Sequence, residues 1–394
     1  MRQLGAVAAA YSLATTPFNI APLLVGAVIT VLGASEQQSG QLMTLELLSM
    51  SVVAMVAAPL GQQACKPWVL TLAVLLLVVV HSISALVGSY TLLLPLRIVA
   101  GIGAGTLLLA VNTTIATSSD PVRLYGACSM ATATVGLLLL LITPSLIAGL
   151  GMAGAYAPLA LVALIVLGIV RWMGSPDSAD VDKQAPVVPE GSAISPMVIG
   201  VLLIALFAIQ FTQGALYSFS ERIGVEQAAL SSADMGILLA VGYAAAIPAS
   251  AFATWLSYRL GRYLPLIAGM LVYALATVGM AVASDPQAYA VNFVLFNFGY
   301  FFLLPYQLGI PADLDHSGKL SGLGVGIFFI GMSCGAFLGG VLVTHFGYSS
   351  LGFVAATGGG VGLLMLLFVV RRGSQGGRTA ESVARGRVGT GTTH

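Results

Sequence analysis

The chain has 394 residues, of which 58% are hydrophobic and only 7% are charged, and its formal net charge is +1. Soluble domains carry about 25% charged residues, so this composition excludes a soluble protein, and the near-neutral charge argues against a nucleic-acid partner. Three scattered cysteines, Cys65, Cys128 and Cys334, offer no disulfide framework and no metal-binding spacing. The mean hydropathy of +0.99 indicates a protein that crosses a lipid bilayer many times.

Twelve apolar segments are long enough to cross a bilayer as helices, for which about 20 residues are needed. They cover residues 5–33, 39–60, 67–88, 92–116, 126–149, 152–173, 196–219, 232–257, 264–283, 287–310, 319–343 and 348–370. The polar stretch at 174–195, rich in Pro, Asp and Ser, predicts a cytoplasmic linker between two six-helix bundles, 1–173 and 196–370. Residues 371–394 are rich in Gly, Ser, Thr and Arg and predict a disordered cytoplasmic tail.

The basic residues indicate the orientation of these helices. All of them except Arg97 and Arg222 lie at the termini or in alternate loops on one side. Because Lys and Arg accumulate on the cytoplasmic side, both termini are expected in the cytoplasm, with the chain in the inner (plasma) membrane.

The two halves also share a sequence pattern. At one constant offset, Ser35, Gly40, Leu42 and Lys66 correspond to Ser231, Gly236, Leu238 and Arg262. Each copy opens with a helix-capping signal and ends in a basic turn, which predicts two bundles in tandem with the same orientation.

Three motifs resemble those of the major facilitator superfamily, and the resemblance covers the whole chain. The turn after the eighth helix keeps Leu256, Arg259, Gly261 and Arg262 of the family pattern GxLxDRxGRR, with Tyr258 in place of the acid, whereas the turn after the second helix keeps only Leu60 and Lys66. The fourth helix resembles the family's RxxxGxG pattern at Arg97, Gly101 and Gly103, and the eleventh resembles the exporters' GxxxGPxxGG pattern from Gly331 to Gly340, with Ala336 replacing proline. The motifs are most similar in style to those of the drug:proton antiporters and the small-solute efflux permeases.

The resemblance implies an all-α membrane protein of twelve transmembrane helices, arranged as two six-helix bundles related by pseudo-twofold symmetry. It also implies a central cavity lined by the first, fourth, seventh and tenth helices. The basic turns would act in gating, through Lys66, Arg259, Gly261 and Arg262.

Charged residues well inside a span are rare in this chain. Glu46 and Arg97 are expected at similar depths, and His81 at a comparable depth in the third helix. Since an unpaired charge is costly in the membrane, we expect Glu46 to carry a coupling proton whose affinity Arg97 modulates. The alternative is a static pair that aligns two helices. For His81 we expect a histidine that is satisfied locally, and the alternative is a proton relay.

Uncharged polar and aromatic residues fall on the expected cavity helices. The candidate substrate-binding residues are Tyr11, Asn19, Gln210, Gln213, Tyr217, Asn297, Tyr300 and Tyr306. Together they predict a wet, aromatic pocket, and the alternative is that each one joins neighbouring helices. Pro17 and Pro22 predict a bend in the first helix that leaves the carbonyls of Leu13 and Phe18 without their usual donors.

The sequence therefore predicts a secondary active transporter and not an enzyme, with no cofactor, no metal and no ATP-binding module. Its partners would be a small amphipathic or aromatic solute, protons and the lipid bilayer, and the protein is expected to be a monomer. Proton-coupled export by alternating access is the first hypothesis. The main alternative is a proton-coupled importer of an organic acid that pairs with Arg97, and the minor one is a sensor or channel.

Overall fold

A computed structural model describes residues 2–57, 60–116, 118, 121–173, 195–260, 263–314 and 319–388. These residues are mostly α-helical, with a 3-10 turn at Val170–Met173 and no strand. The helices of the first half are α1 (Arg2–Asn19), α2 (Ala21–Leu32), α3 (Glu36–Val56), α4 (Gly61–Ala64), α5 (Pro67–Leu86), α6 (Tyr90–Ala116), α7 (Pro121–Leu150) and α8 (Met152–Ile169). Those of the second half are α9 (Pro196–Ser218), α10 (Ser220–Glu226), α11 (Ser232–Ala244), α12 (Ala246–Leu260), α13 (Tyr263–Val282), α14 (Pro286–Leu314), α15 (Lys319–Phe346) and α16 (Ser349–Val388).

Within the described residues, eleven helical segments are long and apolar enough to cross a membrane. The twelfth crossing is the pair α1 and α2, which meet at an angle of 48°. The crossings are helices, in which most backbone hydrogen bonds form within the segment, as hydrocarbon requires. The architecture is the predicted all-α membrane fold of twelve spans.

The bend in the first span follows from its two prolines. Pro22 stands in the first turn of α2, where its missing N–H costs nothing, and Ile20 is non-helical between the two helices. The N–H of Leu23 donates to the carbonyl of Ile20, three residues back, at 3.0 Å. The carbonyl of Asn19 is therefore left for a partner outside its own helix. The sequence predicts this for the carbonyls of Leu13 and Phe18 but not for that of Asn19.

Two faces of the bundle are named here by the residues that lie on them. The terminal face holds Arg2 at the start of α1 and Pro67 at the start of α5, and the distal face holds Glu36 and Tyr90 at the starts of α3 and α6. Contacts agree with this division, since the guanidinium of Arg2 lies 5.7 Å from the ring of Trp172 at the end of the sixth span.

The repeated capping signals act as predicted at the distal face. Ser35 and Gln38 form a reciprocal capping box that starts α3. In the second copy the backbone N–H of Asp234 donates to the Ser231 hydroxyl at 3.1 Å and starts α11. Each cap satisfies a backbone donor that the first turn of a helix leaves free.

The repeated glycines, Gly40 and Gly236, both face the opposite half. A Cβ on Gly40 would lie 2.4 Å from the backbone oxygen of Ala336 in α15, and one on Gly236 would lie 2.5 Å from the ring of Pro144 in α7. The halves therefore meet along two equivalent contacts, α3 with α15 and α11 with α7, where small residues let the helices approach closely. The hydroxyl of Thr44 on α3 adds a hydrogen bond of 2.8 Å to the carbonyl of Ser333 on α15.

Several helix boundaries differ from the predicted ones. The last helix runs to Val388, so residues 371–388, predicted as part of a disordered tail, have a helical backbone. This segment contains no proline, whose ring would end a helix. The eighth span is divided into α11 and α12 at Ala245. Most of the predicted linker, 174–194, lies outside the described residues.

Candidate functional site

The glycines of α6 bring this helix close to α3. A Cβ on Gly101 would lie 2.3 Å from the backbone oxygen of Glu46, and one on Gly105 would lie 2.6 Å from that of Met50. Arg97, Gly101 and Gly105 are spaced by four residues and share one face of the helix. The two glycines therefore set the close approach that carries Arg97 to Glu46.

Arg97 and Glu46 form a buried ion pair. The Nη1 atom of Arg97 lies 3.0 Å from Oε2 of Glu46, and the two side chains are only 1% and 3% exposed. Charges this deeply buried are costly unless they are paired and hydrogen-bonded, so each one accounts for the presence of the other.

Three further side chains complete this cluster in the first half. The Nη2 atom of Arg97 donates to the Ser84 hydroxyl at 2.5 Å. The guanidinium also lies over the ring of Tyr156, 4.4 Å from its centroid, which is a cation–π contact. His81 stacks on the same ring with centroids 6.4 Å apart. The cluster therefore joins α3, α5, α6 and α8.

Not every polar atom of the cluster is satisfied. Oε1 of Glu46, Nε of Arg97 and both ring nitrogens of His81 are buried without a hydrogen-bond partner among the described residues. Such atoms are rare in protein interiors, and a strained or functional role is one explanation for them. An ionised carboxylate accepts hydrogen bonds only, whereas a protonated one also donates, so Glu46 has the chemistry to hold and release one proton.

A second polar site joins the two halves at the bend of the first span. The hydroxyl of Tyr217 on α9 donates to the backbone carbonyl of Asn19 at 2.6 Å. The rings of Phe18 and Tyr217 are in contact, with centroids 5.7 Å apart. The bend that the prolines create thus supplies the carbonyl through which the first half binds the second near the distal face.

Gln210 and Gln213, predicted to share one face with Tyr217, bind different helices. The Gln210 amide donates to Oε1 of Gln307 at 2.6 Å and accepts from the Tyr300 hydroxyl at 3.2 Å, both on α14. Gln213 accepts from the hydroxyl of Tyr273 on α13 at 3.0 Å. Both glutamines are buried, so in this structure they also join helices of the second half.

Of the remaining predicted contact residues, two are used within the second half. The Asn297 amide donates to the Phe293 carbonyl on its own helix at 2.9 Å, and the Tyr306 hydroxyl donates to the Ala253 carbonyl at 2.9 Å. Tyr11 is partly exposed. It lies close enough to Tyr243, in the other half, to interact electrostatically.

Two of the four predicted gating residues, Lys66 and Arg259, lie at the terminal face. Lys66 is exposed and precedes α5, and Arg259 is exposed with its guanidinium 4.6 Å from the Trp255 ring centroid. Gly261 and Arg262 lie outside the described residues.

Some partners in these sites carry little signal in the sequence. Ser84, Tyr156, Tyr243, Tyr273 and Gln307 are ordinary polar residues inside apolar spans, and nothing in their spacing marks them. Tyr156 follows Gly151 by five residues, so its place near the distal end of α8 could be read from the span boundary. The His, Cys, Asp and Glu side chains of the described residues form no cluster suited to a metal ion.

The arrangement was compared with known proteins. The sequence profile of the Major Facilitator Superfamily matches residues 6–324. No curated protein matches the sequence. Many solved structures share the fold, at sequence identities that speak for the fold alone.

Three solved structures illustrate this likeness. The peptide transporter POT in complex with sulfate has a TM-score of 0.72 at 13% identity, over 96% of this chain and 95% of that one. The nucleoside transporter NupG has a TM-score of 0.66 at 12% identity, over 94% and 98%. A bacterial homologue of the human lysosomal transporter Spinster, in an inward-facing and unoccupied conformation, has a TM-score of 0.65 at 15% identity, over 94% and 95%. The chain belongs to the major facilitator superfamily and is a membrane transporter, not an enzyme.

Proposed function

We propose that the protein exports a small amphipathic or aromatic organic solute by alternating access, in exchange for protons. The observation that carries the proposal is the ion pair between Glu46 and Arg97, which lies inside the membrane with almost no solvent exposure. Burying an ion pair in the membrane costs free energy, and a role in proton coupling would explain why the pair is there.

The position of α3 connects the ion pair to the interface between the halves. One face of α3 carries Glu46 toward Arg97, while Thr44 and Gly40 contact α15 in the other half. Protonation of Glu46 would remove the anionic partner of Arg97, which keeps its charge at any physiological pH. The helices α3 and α6 would then be free to shift, and the shift would reach α15 directly.

The surroundings of Arg97 argue against the organic-acid importer. Its guanidinium is enclosed by a carboxylate, a hydroxyl and an aromatic ring, so no side of it faces an open space between the halves. A solute carboxylate would have to displace Glu46 to reach it. This supports a coupling role for Arg97 rather than contact with the solute.

For the solute we propose a site on the central axis of the protein. It lies between the terminal face and the contact of Tyr217 with Asn19. Tyr11 and Tyr243 are close to each other there from opposite halves, and Nδ2 of Asn19 is buried without a partner among the described residues. Gln210 and Tyr300 would join this site if their mutual hydrogen bond opened. Aromatic rings and amides of this kind suit a flat or amphipathic organic molecule.

The distribution of basic residues supports the proposed orientation. Arg2, Lys66, Arg171 and Arg259 all lie at the terminal face, so we place this face in the cytoplasm of an inner membrane.

Substitution of Glu46 by Gln tests the coupling. A solute would first be selected from a panel of aromatic cations, aromatic acids and sugars by thermal stabilisation of the purified protein. In proteoliposomes, Glu46→Gln should abolish transport driven by a pH gradient and retain exchange of labelled for unlabelled solute. Glu36→Gln, on the same helix but partly exposed, is the matched control and should retain both activities.

Two outcomes would contradict the proposal. Unchanged gradient-driven transport in Glu46→Gln would exclude a proton-coupling role for this carboxyl. Direction is tested separately with membrane vesicles energised by respiration, where accumulation only in right-side-out vesicles would show import instead of export.

A further inference from the structure

A second buried carboxyl lies at the distal face, away from the ion pair of the first half. Glu221 belongs to the short helix α10 and is 7% exposed. Its carboxyl lies directly against Gly26 of α2, where a Cβ would come within 2.3 Å of Oε2. Glu221 therefore sits in the contact between the first and second halves, and Gly26 leaves the space that the carboxyl fills.

Glu221 forms no salt bridge within the described part of the chain. The adjacent Arg222 pairs with Glu226, and Oε2 of Glu221 has no hydrogen-bond partner there. The helix α2, against which the carboxyl packs, carries no titratable side chain. On α14, the Tyr289 hydroxyl donates to the Ser220 carbonyl at 2.5 Å.

The other neighbouring groups are equally engaged elsewhere. On α11, Asp234 accepts from the hydroxyl of Ser231 at 2.6 Å and is exposed. On α9, the hydroxyl of Tyr217 is used by the carbonyl of Asn19. Of these neighbours, Arg222 alone favours the anionic form of Glu221, and its effect is smaller than that of burial.

A buried carboxylate without a counter-charge is unstable, and the usual response of such a group is to bind a proton. Burial raises the pKa of the Glu221 carboxyl from its ordinary 4.5 to about 7, against a smaller lowering by Arg222. Opening of the distal face would separate α10 from α2, expose the carboxyl to water and return it to its ordinary behaviour.

We propose that Glu221 is a proton-binding residue of the distal gate, which joins the two halves when it is protonated and releases them when it is ionised. This inference rests on the proposed alternating access, but it does not depend on the role of Glu46. It assigns the protein a second site at which protons and opening are linked.

The sign of the pH dependence follows from the two states. Below pH 4.5 the carboxyl is protonated whether the gate is open or closed, and above about pH 7 it is ionised in both. Between these limits the open state loses its proton first, so the ratio of closed to open molecules falls about tenfold per pH unit. Across the whole interval the expected fall is about 300-fold.

The distance between the halves at the distal face measures the gate directly. Spin labels at Val31 on α2 and Ser232 on α11, both exposed, would be introduced on a cysteine-free background in lipid nanodiscs without any solute. Between about pH 4 and pH 9 the long-distance population should grow in the protein with native Glu221. Glu221→Gln should remain in the short-distance state at every pH.

Two controls separate this site from its neighbours. Asp285→Asn, exposed at the distal face just before α14, should keep the pH response, because the amide oxygen can still accept from the backbone N–H groups of Gln287 and Ala288. Glu46→Gln should keep it too, so a failure of the proposed coupling at Glu46 leaves the present inference standing. A pH response that is lost in Glu46→Gln and kept in Glu221→Gln would overturn it.

A distance distribution that does not change with pH in the protein with native Glu221 would also overturn the inference.

If Glu221→Gln does not fold, Glu221→Asp replaces it, since its shorter side chain withdraws the carboxyl from Gly26. The midpoint of the pH response should then move toward that of an exposed carboxyl. A midpoint that does not move would overturn the inference as well.

Discussion

Replacing Gly101 by Ala tests whether the close approach of α3 and α6 creates the ion pair. The new Cβ would lie 2.3 Å from the backbone oxygen of Glu46 and 2.7 Å from Cβ of Ser49. Carbon and oxygen atoms in favourable contact are about 3.3 to 3.6 Å apart, so the helices must separate by about 1 Å. The obstacle is backbone, and no side-chain rotation relieves it.

The separation should weaken both stability and coupling. The bond between Arg97 and Glu46, 3.0 Å in the native protein, would lengthen to about 4 Å, which is beyond hydrogen-bond range. Overpacking of an interior costs about 1 to 3 kcal/mol, and alanine recovers about 0.5 to 1 kcal/mol through its better helix propensity. We expect a net destabilisation of up to about 2.5 kcal/mol, with a loss of transport driven by a pH gradient.

The measurements are thermal unfolding of the purified protein and gradient-driven transport in proteoliposomes. Gly168→Ala on α8 is the matched control, because no atom lies within 4 Å of its new Cβ. It should be as stable as the native protein or slightly more so. If Gly101→Ala behaved like this control in both assays, the close contact would not be what positions the pair.

Two further predictions concern hydrogen bonds at the two sites. Tyr217→Phe removes the donor to the Asn19 carbonyl, and a loss of about 1 kcal/mol should raise the distal-open population roughly fivefold, as measured by distances between spin labels across that face. An unchanged distribution would mean that this bond does not hold the halves. Arg97→Lys keeps the charge but not the fork that reaches Glu46 and Ser84 together, so gradient-driven transport should fall while the exchange of solute persists. Full activity in the lysine variant would show that charge alone is sufficient.

Hydropathy determined the number and order of the spans because hydrocarbon leaves the backbone only one solution for such segments, the self-satisfied helix. The capping signals at Ser35 and Ser231 and the bend at Pro17 and Pro22 are likewise local effects, and the structure has all of them. The pairing of Glu46 with Arg97 was predictable for a different reason. They are the charges that lie well inside the spans, and each needs the other.

The partners of the uncharged polar residues were decided by tertiary structure alone. Lipid-facing and core-facing positions of a spanning helix are both apolar, so the sequence carries almost no information on how each helix is rotated about its axis. Spacing placed Gln210 and Gln213 on one face, but packing gave them Gln307 on α14 and Tyr273 on α13 as separate partners.

Glu221 is the clearest example of a residue whose surroundings were decided by the tertiary structure and not by the sequence. In the sequence it is one acidic residue near the end of a span, beside a basic residue that could neutralise it. Only the docking of α10 on α2 buries its carboxyl against Gly26 and leaves Arg222 to Glu226. The sequence by itself determined which segments cross the membrane and which charges must be paired inside it. Helix rotation and glycine-sized gaps, which only the tertiary structure sets, decided which side chains each of these groups contacts.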